Sequence, residues 1–267
     1  MRWLAALSWG VLIFFALPLV VVIVAAFTDA NYVAFPPAKF GVKWFGLAFE
    51  KPDFSTGLSL SLRLALCASV LSTALAAVTT GALVRMRPRA SRLGVSFFSL
   101  PVMVPVMLIG FSTLQLLAVL GLGRNFWGLL LGHLVLTMPF AMRILYSAFS
   151  SFDRSLELAA YTLGTGYIRT ALRVTLPTIF PAVVASLSLT FLLSFDDVVV
   201  AVFLSAPTVR TLPVVIFNHL DQSLSPDLLA VSAIIIAVSI VMILIVERSV
   251  GLGKVFGMKG FERQAPG

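Results

Sequence analysis

Residues 155–183 read SLELAAYTLGTGYIRTALRVTLPTIFPAV. Leu156, Ala159, Ala160 and Leu163 share one face at helical spacing, a Gly-Thr-Gly break follows at 164–166, and Ile168, Leu172 and Leu176 resume the period. Pro177 suits the first turn of the next helix, where its missing N–H costs little. The stretch therefore predicts a short amphipathic helix, a glycine turn and a second short helix. A structureless loop of this length is unusual. On pattern alone the competing reading is a plain interfacial linker.

On both sides of this stretch the chain is oily. Of its 267 residues 60% are hydrophobic and 11% are charged, against about 25% charged in a soluble domain. Apolar runs of about 20 residues recur, the length a helix needs to cross a bilayer. A transmembrane β-barrel would alternate apolar and polar residues over short segments, whereas Val20–Ala26 and Ile234–Val246 are nearly continuous apolar runs. The expected fold class is all-α integral membrane, with six spans at about 4–27, 58–84, 93–120, 126–147, 177–203 and 228–246 in one domain over 1–267. The first apolar run is too long for a signal peptide and is read as a retained helix. The stretch at 150–176 then lies between spans four and five.

Charge sets the orientation. With both termini in the cytoplasm, the inner segments hold 13 of the 19 Lys and Arg, including Arg85, Arg87, Arg89 and Arg92, Arg143, Arg154, Arg169 and Arg173. They hold four acids, so the inner segments net +9 and the rest of the chain nets −1. The positive-inside rule selects this orientation. The chain's net charge of +8 is thereby a topology signal and an attraction to anionic membrane lipid, and no nucleic-acid partner is needed. Two outer segments stand out: 28–57, with its Pro pair and aromatics, reads as an ordered interfacial loop, and 205–227 has an apolar centre flanked by Pro that suits a short half-helix.

The inner stretch resembles the "EAA" loop of binding-protein-dependent ABC importer permeases. In that pattern Glu-Ala-Ala is followed by Gly after three residues, then nine residues, then Ile-x-Leu-Pro. Here Ala159-Ala160 precede Gly164 at that spacing, and Val174-Thr175-Leu176-Pro177 follow nine residues later. The motif's Glu position holds Leu158, and Glu157 stands one residue earlier, a rotation of about 100° on a helix. The segments LSFDDVVVAVFLSAPTVRTLPVVIF (193–217), FWGLLLGHLVLTMPFAMRILYSAF (126–149) and SPDLLAVSAIIIAVSIVMILIV (225–246) are similar to the PotC-type subunit of spermidine/putrescine importers. The resemblance implies a type I ABC importer permease fold in a bacterial inner membrane. It implies a second, different permease, a dimer of ATPase subunits carrying ATP and Mg, and a periplasmic solute-binding protein. It also implies that Glu157, Ala159, Ala160, Gly164, Leu176 and Pro177 belong to the ATPase-coupling loop.

Asp196 and Asp197 sit in an otherwise apolar run, where a carboxylate is costly and commonly marks a polar path. Taking the fifth span as a regular helix places Ser186, Thr190, Ser194 and Asp197 within about a 100° arc and turns Asp196 toward a neighbouring helix. That stripe is expected to line the solute pathway and to favour a cation. The competing readings are an interfacial charge pair, or an ion-coupled secondary transporter using the Asp pair, for which no clear internal repeat is found. An ABC permease for a different small solute is a further alternative.

No catalytic constellation is present, and no cofactor or metal site is expected in this chain. His133 reads as a satisfied residue inside the bundle, and His219 with Asp221 is too few groups for a metal. GLGKVFG (251–257) lacks the Gly and the Ser or Thr of a phosphate loop, since Arg248 and Val255 occupy those places, so nucleotide is expected on another chain. Gly128 and Gly132 form a small-xxx-small pair suited to close helix packing. The lone Cys67 forms no intrachain disulfide.

Overall fold

The computed structural model describes residues 2–221 and 225–250. Among these the elements in chain order are α1 Arg2–Ala26, α2 Lys43–Glu50, α3 Pro52–Leu83, α4 Pro88–Ser99 with a 3₁₀ turn Leu100–Met103, and α5 Val106–Val119. They continue as α6 Phe126–Ser150, α7 Ser155–Thr162, α8 Tyr167–Thr170 with a π turn Ala171–Thr175, α9 Leu176–Phe195, α10 Val199–Leu204, α11 Leu212–Leu220 and α12 Pro226–Val250. The phosphate-loop-like segment 251–257 and the basic residues Lys254, Lys259 and Arg263 lie outside the described residues.

Among the described residues five helical stretches are long and apolar enough to cross a membrane: Ala6–Ala26, Pro52–Leu83, Phe126–Ser150, Tyr167–Phe195 and Pro226–Ile245. A sixth is broken. The expected third span at 93–120 is two helical pieces, Pro88–Met103 and Val106–Val119, bent by 99°. The cause is local. Pro101 and Pro105 lack N–H donors, and Val104, which precedes Pro105, is extended at φ −86°, ψ 133°, as a residue before proline prefers.

The fifth span also departs from expectation, at both ends. It starts ten residues early, because α8 runs through the π turn into α9 as one 29-residue helix. Pro177 thus follows helix instead of opening it. A proline inside a helix clashes with the carbonyl four residues back, and the widened π turn immediately before α9 relieves that contact. At the other end the helix stops at Phe195 instead of continuing to 203, and α10 begins only at Val199.

The chain forms two compact units, one of residues 2–61 and 210–241, the other of 62–209 and 242–250. In the first, Ala48, Phe54, Leu212, Val215, Ile216, Leu228 and Val231 form a core. Gly57 lets α3 approach the α11 backbone, since a Cβ there would lie 3.3 Å from Leu212 Cα. Ser61 Oγ accepts the Leu212 N–H at 2.8 Å, and the buried Asp227 carboxylate accepts from Lys51 Nζ at 2.5 Å. The segment 28–57 is pinned by the Thr28–Phe40 bridge and by Trp44 Nε1–H donating to the Ala30 carbonyl at 2.9 Å. The expected half-helix is α11.

The second unit is organised by α6 and α9. Ala76, Leu83, Ala141, Met142 and Leu145 form its core, with Val95, Phe98, Ala182 and Val183 against it. α6 starts cleanly because Asn125 Oδ1 accepts the N–H groups of Trp127 and Gly128, the usual work of an N-cap. Gly128 and Gly132 bring neighbours close. A Cβ would lie 2.7 Å from Leu117 Cδ1 at Gly128, and 2.4 Å from Leu204 Cδ1 at Gly132.

Candidate functional site

The loop that carries α7 begins at Asp153, whose Oδ1 accepts the Ser155 N–H at 2.9 Å. The bonds from the Ser155 backbone and side chain hold this carboxyl below the usual range. One turn later Glu157 faces inward and is buried. Arg85 Nη2 donates to its Oε1 at 2.6 Å and Oε2 at 2.9 Å, and the Thr175 hydroxyl donates to Oε1 at 2.6 Å. The Arg85 guanidinium also lies over the Tyr167 ring, 5.7 Å from its centre, and Arg154 donates to the Val84 carbonyl. The loop is thus tied to the end of α3 and to the root of α9 through one carboxylate.

α7 ends in a glycine turn with a defined cause. Gly164 has φ +79°, a conformation that costs other residues about 1–2 kcal/mol. Its N–H bonds to the Tyr161 carbonyl and that of Thr165 to the Ala160 carbonyl. This is the Schellman pattern that satisfies terminal carbonyls. No atom lies within 4 Å of a Cβ built at Gly164, so the turn needs glycine for its backbone and leaves open space outside.

The apolar side chains of the loop point outward. Leu158 is 63% and Leu163 84% exposed, and Leu156, Ile168 and Leu172 are exposed too. Ala159 is exposed and Ala160 half-buried; Leu176 and Pro177 are exposed. The predicted apolar face at Leu156 and Leu163 is therefore not packed on this chain. The polar Glu157 is the buried residue of α7 because Arg85 and Thr175 compensate its charge, and the apolar face is left unpartnered within this chain. The one-residue displacement of the Glu has a direct consequence: Glu157 reaches Arg85, while the outward position is Leu158.

The carboxylate pair occupies the break between α9 and α10. A regular helix through 186–205 does not exist, so the angular extrapolation across it fails. Asp196 is exposed. The Asp197 side chain is 7% exposed, with Oδ2 3.9 Å from His133 Nε2. Its oxygens accept the N–H groups of Ala201 at 2.9 Å and Val200 at 3.4 Å, which otherwise have no helical partner at the start of α10. The expected orientations are thus reversed: Asp197 faces α6 and Asp196 faces out.

Ser186, Thr190 and Ser194 are buried in helix seams and do not line an open surface of this chain. Ser186 Oγ lies 3.0 Å from Thr73 Oγ1, Thr190 bonds its own backbone at Ser186, and Ser194 Oγ lies 2.9 Å from His133 Nδ1. Ser72 and Thr137 pair beside them at 2.6 Å. Such hydroxyl contacts hold membrane helices together, at about 0.6 kcal/mol each. The regular-helix premise made a seam look like a channel.

Three participants escaped the sequence reading. Arg85 looked like one of a cluster of cytoplasmic anchors, Thr175 like a filler within Val-Thr-Leu-Pro, and His133 like a satisfied residue. Only Arg85 carried a signal, as the first base after a long apolar run.

Comparison with known proteins follows from this geometry. The sequence profile of the family described as "Binding-protein-dependent transport system inner membrane component" matches residues 70–252. The chain is 29% identical over 228 residues to the spermidine/putrescine transport system permease protein PotC of Escherichia coli (strain K12), covering 85% of this chain and 86% of that protein. It is 28% identical over 232 residues to the putrescine transport system permease protein PotI of the same organism, covering 84% and 82%. Among solved structures, a bacterial ABC transporter involved in the import of the acidic polysaccharide alginate superposes with TM-score 0.76 at 18% identity, over 92% of this chain and 95% of that one. The MetNI methionine ABC transporter superposes with TM-score 0.61 at 14% identity, over 74% and 94%. These structural likenesses bear on the fold, which is that of ABC importer permeases.

Proposed function

The chain belongs to the family of binding-protein-dependent transport system inner membrane components, and from that premise we propose that it is the permease subunit of an ATP-driven importer of a small cationic solute of the polyamine class. The observation that carries the choice of a cation is the adjacent pair Asp196 and Asp197 at a helix break, with Asp196 exposed. A carboxylate held at membrane depth attracts an ammonium group and repels an anion. The names of the relatives agree with that chemistry.

In this reading the solute arrives on a periplasmic binding protein and passes between this chain and a second, different permease. ATP and Mg are held by a pair of separate ATPase subunits. Their groove takes the outward apolar face of α7 and α8 around Gly164. The Arg85–Glu157–Thr175 contact passes the rigid-body motion of that face to α3 and α9, and both termini lie in the cytoplasm. The retained pathway residues are Asp196, as the charge presented to the solute, and Asp197, as its support; Ser194, Thr190 and Ser186 stiffen the helix behind them.

The test is ATP-driven uptake of labelled spermidine into proteoliposomes bearing the complete complex with saturating receptor. Asp196→Asn is expected to lower uptake about tenfold, the effect of losing one hydrogen bond to a charged group, with the ATPase still co-purifying. Wild-type uptake by this variant, or preferential transport of an anion, would reject the cationic pathway. Uptake by the purified single chain driven by an ion gradient without ATP would reject the importer reading.

A further inference from the structure

Ser194 and Asp197 lie on opposite sides of the break between α9 and α10, and one side chain of α6 reaches both. His133 is completely buried. Its Nδ1 is 2.9 Å from Ser194 Oγ and its Nε2 faces Asp197 Oδ2 at 3.9 Å. Nε2 has no hydrogen-bond partner among the described residues. A buried polar atom left unpaired is costly, so a ring nitrogen kept in that state beside a carboxylate calls for a physical reason.

The surroundings decide the tautomer. A proton on Nδ1 alone would turn the Nε2 lone pair toward a carboxylate, acceptor against acceptor. With the Ser194 hydroxyl donating to Nδ1, Nε2–H points at Asp197 and the pair attracts. The distance exceeds an ordinary N–H···O bond by about 1 Å, which is the size of a small helix shift.

The neighbouring packing makes that gap a property of the break. His133 follows Gly132, where a Cβ would lie 2.4 Å from Leu204 Cδ1 and 2.9 Å from Val200 Cγ1. At Gly110 of α5 a Cβ would lie 3.2 Å from Val200 Cα. α10 is thus held at close range by glycines on two helices. The Asp197 carboxylate is bonded to the N–H groups of α10 and goes where α10 goes, while Ser194 belongs to the last turn of α9. No other imidazole, hydroxyl or base bonds the Asp197 carboxylate among the described residues.

We propose that His133 is a positioning residue for the carboxylate pair: its ring joins the end of α9 to the start of α10 through Ser194 and Asp197, and by closing Nε2–H onto Asp197 it sets the angle of the break and the direction in which Asp196 faces the passing solute. The proposal rests on the reading of Asp196 as the charge presented to a cationic solute. It assigns His133 no contact with the solute.

The experiment compares His133→Asn, His133→Gln, Asp196→Asn and the double variant Asp196→Asn/His133→Asn. The readout is spermidine uptake rate per assembled complex in proteoliposomes at saturating loaded receptor. An Asn amide reproduces the Nδ1 contact and stops short of Asp197, whereas a Gln amide reaches the Nε2 position. His133→Asn is expected to lose about tenfold, one hydrogen bond to a charged group, and His133→Gln to recover most of that loss. The double variant should be no slower than Asp196→Asn alone, because both changes act on one charge. Rates that multiply in the double variant, or equal losses of assembly in both His133 variants, would overturn the proposal in favour of simple packing. A slow Asp196→Asn beside a wild-type His133→Asn would overturn it while leaving the cationic pathway standing. Wild-type uptake by Asp196→Asn would instead reject the pathway reading.

Discussion

Glu157 and Asp197 are both buried carboxylates in a membrane protein, and they are held in opposite ways. Glu157 receives one guanidinium nitrogen on both its oxygens and a hydroxyl, at 2.6–2.9 Å, from two other segments. Asp197 receives two N–H groups of the short helix that follows it and faces an imidazole across 3.9 Å. The first arrangement is closed. Charge is neutralised at short range, and removing one partner leaves the other exposed to a large desolvation cost. The second retains an unmade bond within reach of a small shift. A tight clamp suits a part that must carry force as a rigid body, and a loose one suits a part that must change its angle.

That contrast breaks most visibly at the clamp. Glu157→Ala strands Arg85 and is expected to destabilise the subunit by about 2–3 kcal/mol, less than a fully buried pair would lose because the Arg85 side chain is 29% exposed. Thermal unfolding in detergent measures it, and a Tm equal to wild type would remove the clamp from the structure. The break is next. Gly132→Val forces side-chain atoms into Leu204 and Val200, and overpacking of this kind costs about 1–3 kcal/mol. Its signature in the same measurement is a loss restored by Leu204→Ala, which vacates the contact; no restoration would show that α10 is not seated there. The smallest effect on stability belongs to the outer face of the loop. Leu163→Ser should stay within about 0.5 kcal/mol of wild type, yet reduce co-purification of the ATPase. Normal co-purification would mean that the exposed apolar face is not where the ATPase binds.

Long apolar runs and the Gly164 spacing were enough to read an all-helical membrane chain with a short helix and a glycine turn ahead of its fifth span; the second short helix expected there is instead the start of that span. Those features depend on local rules. A run of about 20 apolar residues has no other stable place than a bilayer or a core, and a glycine at positive φ closes a helix whatever surrounds it. The same rules stop short where tertiary contacts decide. Leu156, Ala159 and Leu163 formed a convincing apolar face, but periodicity tells that a face exists and not which partner covers it.

The break at Asp196–Val198 was illegible for a related reason. Phe195, Val198 and Val199 are all compatible with continued helix, and no Pro or Gly stands among them. The interruption rests on Asp197 capping α10 and on the seats that Gly132 and Gly110 offer from helices more than 60 residues away. The charged partner of Glu157 is equally distant in sequence: Arg85 lies 72 residues before it. Sequence alone therefore determined the class of fold, the number of apolar runs and the position of the glycine turn. Only the tertiary structure decided which carboxylate is clamped, which is exposed and which waits beside a histidine, because a charge in a low-dielectric interior is governed by the few polar atoms packed within about 4 Å of it.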